Sequence, residues 1–69
     1  MIDRRRYPQL DRLLWDIHEQ EIEERQAFRA YEQRWAFVEP GNLGASELAL
    51  LDQLTRTVGN GVFLPMNMA

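Results

Sequence analysis

A chain of 69 residues with eight arginines, no lysine, no cysteine and a single histidine excludes most routes to function at the outset. Its 45% hydrophobic content is that of a globular domain, and its net charge of -3 argues against general nucleic-acid binding. A chain this short hides only about 60% of its unfolded surface on folding. Disulfides and thiolate metal sites are ruled out, so the expected source of added stability is a second copy or a partner protein.

The overall expectation is one soluble, cytoplasmic domain over residues 1–69. No apolar run approaches the roughly 20 residues of a membrane span, and no signal-peptide core follows Met1. Charge is unevenly placed. Arg4, Arg5, Arg6 and Arg12 against Asp3 and Asp11 leave residues 1–15 at +2, whereas Asp16, Glu19, Glu21, Glu23 and Glu24 bring residues 16–24 to -5. Residues 1–6 read as a flexible basic arm.

A first helix is predicted near 8–17. Pro8 suits the first helical position, and Leu10, Leu13, Leu14 and Ile17 follow the spacing of one face. Continued to Val38, the same helix would place Glu21 and Glu24 in one stripe with Phe28, Tyr31, Trp35 and Val38. At about 100° per residue these fall within a sector of roughly 120°. Carboxylates in an apolar stripe are costly. Either the helix breaks between Asp16 and Glu23, with Asp16 and Glu19 as a capping box, or it is continuous and the glutamates face water or a partner's arginine. The break is preferred.

The second helix, near 21–38, has Phe28, Tyr31, Trp35 and Val38 as its core face and Arg25, Arg29 and Gln33 on its wet face. Glu21 and Arg25 are spaced for an i,i+4 ion pair. Pro40 and Gly41 end it. Residues 39–45 form a turn anchored by Leu43. A third helix is predicted near 46–58, capped by Ser46, with Leu48, Leu51, Leu54, Thr55 and Val58 inward, Leu50 at the edge, and Glu47 and Asp52 on the surface. It ends at Val58-Gly59-Asn60-Gly61. An extended apolar tail, Val62 to Pro65, lies across the helices or reaches into a neighbour, and residues 66–69 are expected to fray. The fold class is therefore all-α, a small three-helix domain with an extended C-terminal tail.

Motifs for chemistry are sparse. His18-Glu19-Gln20-Glu21-Ile22 stops short of the H-E-x-x-H zinc motif, because Ile22 replaces the second histidine. His18 also precedes Glu21, the reverse of the Glu-x-x-His order of helical di-metal sites. The only serine, Ser46, reads as a cap, and one histidine supports no catalytic relay. The expectation is a protein without catalytic residues, cofactor, metal or small-molecule substrate.

The aromatics carry more. Trp15 and Ile22 fall on a side different from Leu10, Leu14, Phe28 and Trp35, while Phe37 points away from both. Three short helices do not easily enclose two tryptophans, three phenylalanines and two tyrosines, and exposed Trp, Tyr and Arg dominate binding hot spots. A partner interface is thus expected at Trp15, Ile22, Arg34, Phe37 and Phe63. For Trp15 and Phe63 a place at the rim of the core is an equal alternative. A DNA-binding regulator is the second reading, with Arg4, Arg5, Arg6, Arg25 and Arg29 on phosphates. Against it, the third helix carries only Arg56 as a basic group, and the inter-helix loop exceeds that of a helix-turn-helix.

Tyr7-Pro8-x-Leu10…Leu14-Trp15-Asp16, Ala27-Phe28-x-x-Tyr31-Glu32-x-Arg34-Trp35-x-Phe37-Val38 and a Glu-Leu-x-x-Leu helix ending in Gly59-Asn60-Gly61 together resemble a family of small uncharacterised bacterial proteins. These are often encoded beside nucleotidyltransferase-type toxins of abortive-infection systems. The resemblance runs from Tyr7 to Leu64 and contains no catalytic motif. Glu23 departs from it, standing where the family pattern has a capping serine or threonine. The role it implies is an antitoxin-like module that binds a neighbouring enzyme; it implies no site residues.

Overall fold

The computed structural model describes residues 1–65, so the expected fraying of 66–69 lies outside the described residues. Three α-helices dominate: α1 (Pro8–Leu13), α2 (Glu24–Gln33) and α3 (Ala45–Thr57). The fold is not purely helical. Two short strands, β1 (Ile2–Asp3) and β2 (Glu21–Ile22), pair antiparallel with Ile2 opposite Ile22 and Asp3 opposite Glu21. Single 3-10 turns occupy Arg4–Arg6, Trp35–Phe37 and Pro40–Asn42.

The ladder corrects the expectation of a flexible arm. Ile2 is buried against Ile22, and the Arg4 side chain turns inward. Its Nε donates to Asp11 Oδ1 at 2.6 Å, while the two terminal nitrogens reach the carbonyls of Asp11 (3.0 Å), Leu14 (2.6 Å), Ile17 and Glu19 (3.3 Å). All five N–H groups of the guanidinium are used. Asp11 lies in the last turn of α1 and Leu14 is its C-cap residue, so Arg4 adds side-chain donors to the carbonyls at that helix end. The same contacts explain why α1 stops at Leu13 rather than at residue 17: the chain is held in a turn through Leu14–Asp16 and then extends into β2.

The break before α2 is present. Glu21 lies in β2 and Glu24 starts the helix, so the apolar stripe of α2 carries no buried carboxylate. The local details differ from expectation. Asp16 and Glu19 form no capping box; Asp16 sits in the turn after α1 and pairs with Arg34. With Glu21 outside the helix, the i,i+4 geometry toward Arg25 does not exist. The second helix ends at Gln33 and is continued by the 3-10 turn, not by α-helix to Val38. Ala27, Phe28, Ala30, Tyr31 and Val38 are buried, with Trp35 half-buried.

Helix α3 is rotated relative to the expected face. Leu50 and Leu54 are buried, whereas Leu48 is 53% exposed and Glu47 only 2% exposed. The cause is a cross-chain cap. The Glu47 carboxylate accepts from the backbone N–H of Leu10 (2.8 Å) and Gln9 (3.2 Å), and from the Tyr31 hydroxyl (2.7 Å). Tyr7, at the N-cap of α1, provides no side-chain cap. A carboxylate from α3 therefore satisfies the free amides of α1 and meets the positive end of that short helix. Burial, and then the neighbouring Glu47 carboxylate, push the Tyr31 phenol above its ordinary value of 10.0. Ser46 is not the cap of α3: the helix begins at Ala45 with Gly44 at the N-cap.

At the far end Asn60 and Gly61 take left-handed φ values of 52° and 86°. Gly59 is needed for a different reason. A Cβ there would lie 2.6 Å from the Phe28 ring and 2.9 Å from the Thr55 carbonyl. The tail after it docks Phe63 on Phe28 and Trp35, with ring centroids 5.9 Å and 5.2 Å apart, and the Leu64 amide donates to Glu32.

Candidate protein-interaction surface

The turn after α1 and the 3-10 turn after α2 lie side by side, and each exposes one aromatic ring. Leu13 and Leu14 both point into the core, which leaves Trp15 directed outward at 77% exposure. Val38 is buried and Trp35 packs on Phe63, so Phe37 projects from the opposite side of its turn, at 63% exposure. Between the rings is an open cleft of about 190 Å³ lined by Arg12, Leu13, Trp15, Arg34 and Phe37.

Arg34 fixes this geometry. Its guanidinium donates to the Leu13 carbonyl at 2.7 Å, a second cap on the end of α1, and grips Asp16 through both carboxylate oxygens at 2.8 and 3.0 Å. The same group lies over the Trp15 ring, 5.8 Å from its centroid. Hydrogen bonding from Arg34 holds the Asp16 carboxyl below its ordinary value and raises that of Arg34 in turn. On the other side of the cleft Arg12 pairs with Glu39 at 2.9 Å, and Asn42 also donates to Glu39. These two donors hold Glu39 below the usual carboxylate range. The rings thus project from a frame of two ion pairs spanning 18 and 27 positions in sequence.

The residues expected at an interface divide. Trp15, Arg34 and Phe37 converge on this cleft. Ile22 does not: at 1% exposure it is core, held there by its pairing with Ile2, which the flexible-arm reading left out. Phe63 is half-buried against Phe28 and Trp35, away from the cleft lining. Sequence reasoning missed Arg12, Asp16 and Glu39. The adjacency of Trp15 and Asp16 is visible in the sequence, but the arginine that unites them is remote.

The arginines of the nucleic-acid reading also divide. Arg4 is internal and fully hydrogen-bonded, and Arg5 donates to Gln20. Arg6 lines a groove with Asp3, Glu21 and Glu24, where carboxylates oppose a phosphate. Only Arg25 and Arg29 stand together, one turn apart on the exposed face of α2. Among the described residues no group of three or more His, Cys, Asp or Glu is placed to hold a metal ion, and no helix is long and apolar enough to cross a membrane.

No protein-family model, curated protein or solved structure matches this chain.

Proposed function

We propose that the chain is a non-enzymatic protein–protein interaction module that binds through the Trp15–Arg34–Phe37 surface. One observation carries the reading. Two large aromatic rings flank a cleft and remain mostly exposed, although the core a few ångströms away is closed. The Trp15 ring, lying under a bidentate arginine, loses little further freedom on binding, which is the physical basis of aromatic and arginine hot spots. The resemblance to proteins encoded beside nucleotidyltransferase-type toxins supports an antitoxin-like role, with the neighbouring enzyme as one class of protein that this surface would meet.

The test is retrieval from the native host with two baits, the wild-type chain and the Trp15→Ala/Phe37→Ala double variant, compared by quantitative mass spectrometry. The expected result is a bound protein, another copy included, that the wild type retains and the double variant loses while keeping its circular dichroism spectrum. Identical retention by both baits would sink the reading.

A further inference from the structure

We infer that the occupant of the Trp15–Phe37 surface in the free protein is a second copy of the same surface, related by a two-fold axis. The inference rests on the interaction reading above and specifies its partner.

The charge around the cleft is the deciding observation. Arg12 and Arg34 line it, and each is bonded to a carboxylate of its own chain, Glu39 and Asp16. The patch therefore sums to zero, whereas the whole chain carries -3. A strongly acidic or basic partner finds no uncompensated charge here to recognise, so electrostatic steering toward such a partner is absent. A copy of the same patch meets the requirement by symmetry. In a two-fold interface each residue faces its counterpart's neighbour, so the Arg12–Glu39 edge of one copy can run antiparallel to that of the other. The rings then close over each other's clefts, where aromatic contacts add to apolar burial.

Size and long-range charge are compatible with this arrangement. A standard interface covers about 800 Å² per partner, roughly a sixth of the 4883 Å² surface of this chain. The uncompensated negative charge lies outside the patch. With chain dimensions of 26 × 26 × 21 Å, much of the repulsion between copies acts beyond the screening length of about 8 Å at physiological ionic strength.

The experiment is sedimentation equilibrium of the full chain over a wide concentration range, with four proteins. Wild type is expected to show a monomer–dimer equilibrium, and Trp15→Ala to weaken it by at least about 100-fold, since each dimer loses two hot-spot rings. Arg12→Glu takes the patch to -2 and Glu39→Arg takes it to +2, so each alone is expected to dimerise at least about tenfold more weakly. Mixed in equal amounts, the two charge variants should form a heterodimer at close to wild-type affinity.

Three results would overturn the inference: a wild-type chain monomeric at the highest concentration, a dimer indifferent to all three variants, or a mixture that fails to restore association. Arg12 and Glu39 are exposed, so the charge variants test the surface even if Trp15→Ala fails to fold. A monomeric wild type combined with a captured protein that the double variant loses would reject the second copy and leave the interaction reading standing. A monomeric wild type with identical retention by both baits would reject both.

Discussion

Arg4 and Trp15 lie eleven positions apart and both contact the end of α1, yet their environments are inverted. The Arg4 guanidinium and the Glu47 carboxylate are buried at opposite ends of α1, while Trp15 and Phe37 face water. The charged groups are tolerated inside because each is aimed at backbone groups around helix α1, carbonyls at and beyond its end for Arg4 and the free amides of its first turn for Glu47. Among the described residues no buried side-chain polar atom lacks a partner. The rings are exposed because their neighbours Leu13, Leu14 and Val38 already fill the space beneath them. Burial in so small a fold follows the supply of partners more than the polarity of the side chain.

The largest test of this contrast is Arg4. Arg4→Ala removes the Arg4 donors from the carbonyls of Ile17 and Glu19 and should cost about 3 kcal/mol of folding free energy by urea titration. Arg4→Lys should recover little of that, because an ammonium cannot span carbonyls from four residues. Full stability in either variant would contradict the capping role.

Glu47 comes next. Glu47→Ala should cost about 2 kcal/mol by orphaning two amides and the Tyr31 hydroxyl, while Glu47→Gln, which keeps an acceptor but loses the charge facing the helix, should cost about half as much. Equal losses would mean that one remaining acceptor oxygen is not enough, and that both carboxylate oxygens are needed at the amides of α1.

The aromatic side should respond in the opposite way. Trp15→Ala and Phe37→Ala remove exposed rings, and each is expected to change folding stability by no more than about 0.5 kcal/mol while reducing association. A loss of several kcal/mol at either position would place that ring in the core.

The smallest effect is in acid. Arg34 holds the Asp16 carboxyl below its ordinary value of 3.8, so the pair's contribution is complete well above that pH and declines as pH falls through the lowered value. In a Trp35→Phe background, Trp15 emission should change below about pH 4 as Arg34 is released, and Asp16→Asn should abolish that step.

Much of the helical plan was legible because it is local. Pro8, the spacing of Leu10 and Leu13, the acidic interruption before α2, Pro40 with Gly41, and the Asn60–Gly61 turn each act within a few residues. The core face of α2 at Phe28 and Tyr31 follows from the same periodicity. Periodicity misled at α3, where Leu48 was expected inside and Glu47 outside. The spacing is equally helical for either face, and only the amides of α1, 37 and 38 positions away, make the carboxylate the inward group. Ile22 misled for a related reason: its partner Ile2 lies in a segment that reads as an arm. In the candidate surface, Trp15, Phe37 and Arg34 were legible as residues without an evident place in a three-helix core. Asp16 and Glu39, which fix the arginines, were not.

The count of arginines and the lack of cysteine and lysine, with which the chain first presents itself, say that charge here is carried mainly by guanidinium and carboxylate groups. By itself the sequence determines the helices, the break between the first two and the excess of aromatic side chains, since these depend on backbone preference and short-range spacing. The tertiary structure alone decides which arginines remain for a partner. Arg4 is used within the fold, Arg34 frames a surface and Arg25 stays in water. That division depends on carbonyls and carboxylates brought together from distant parts of the chain, and only closure of the fold sets their distances.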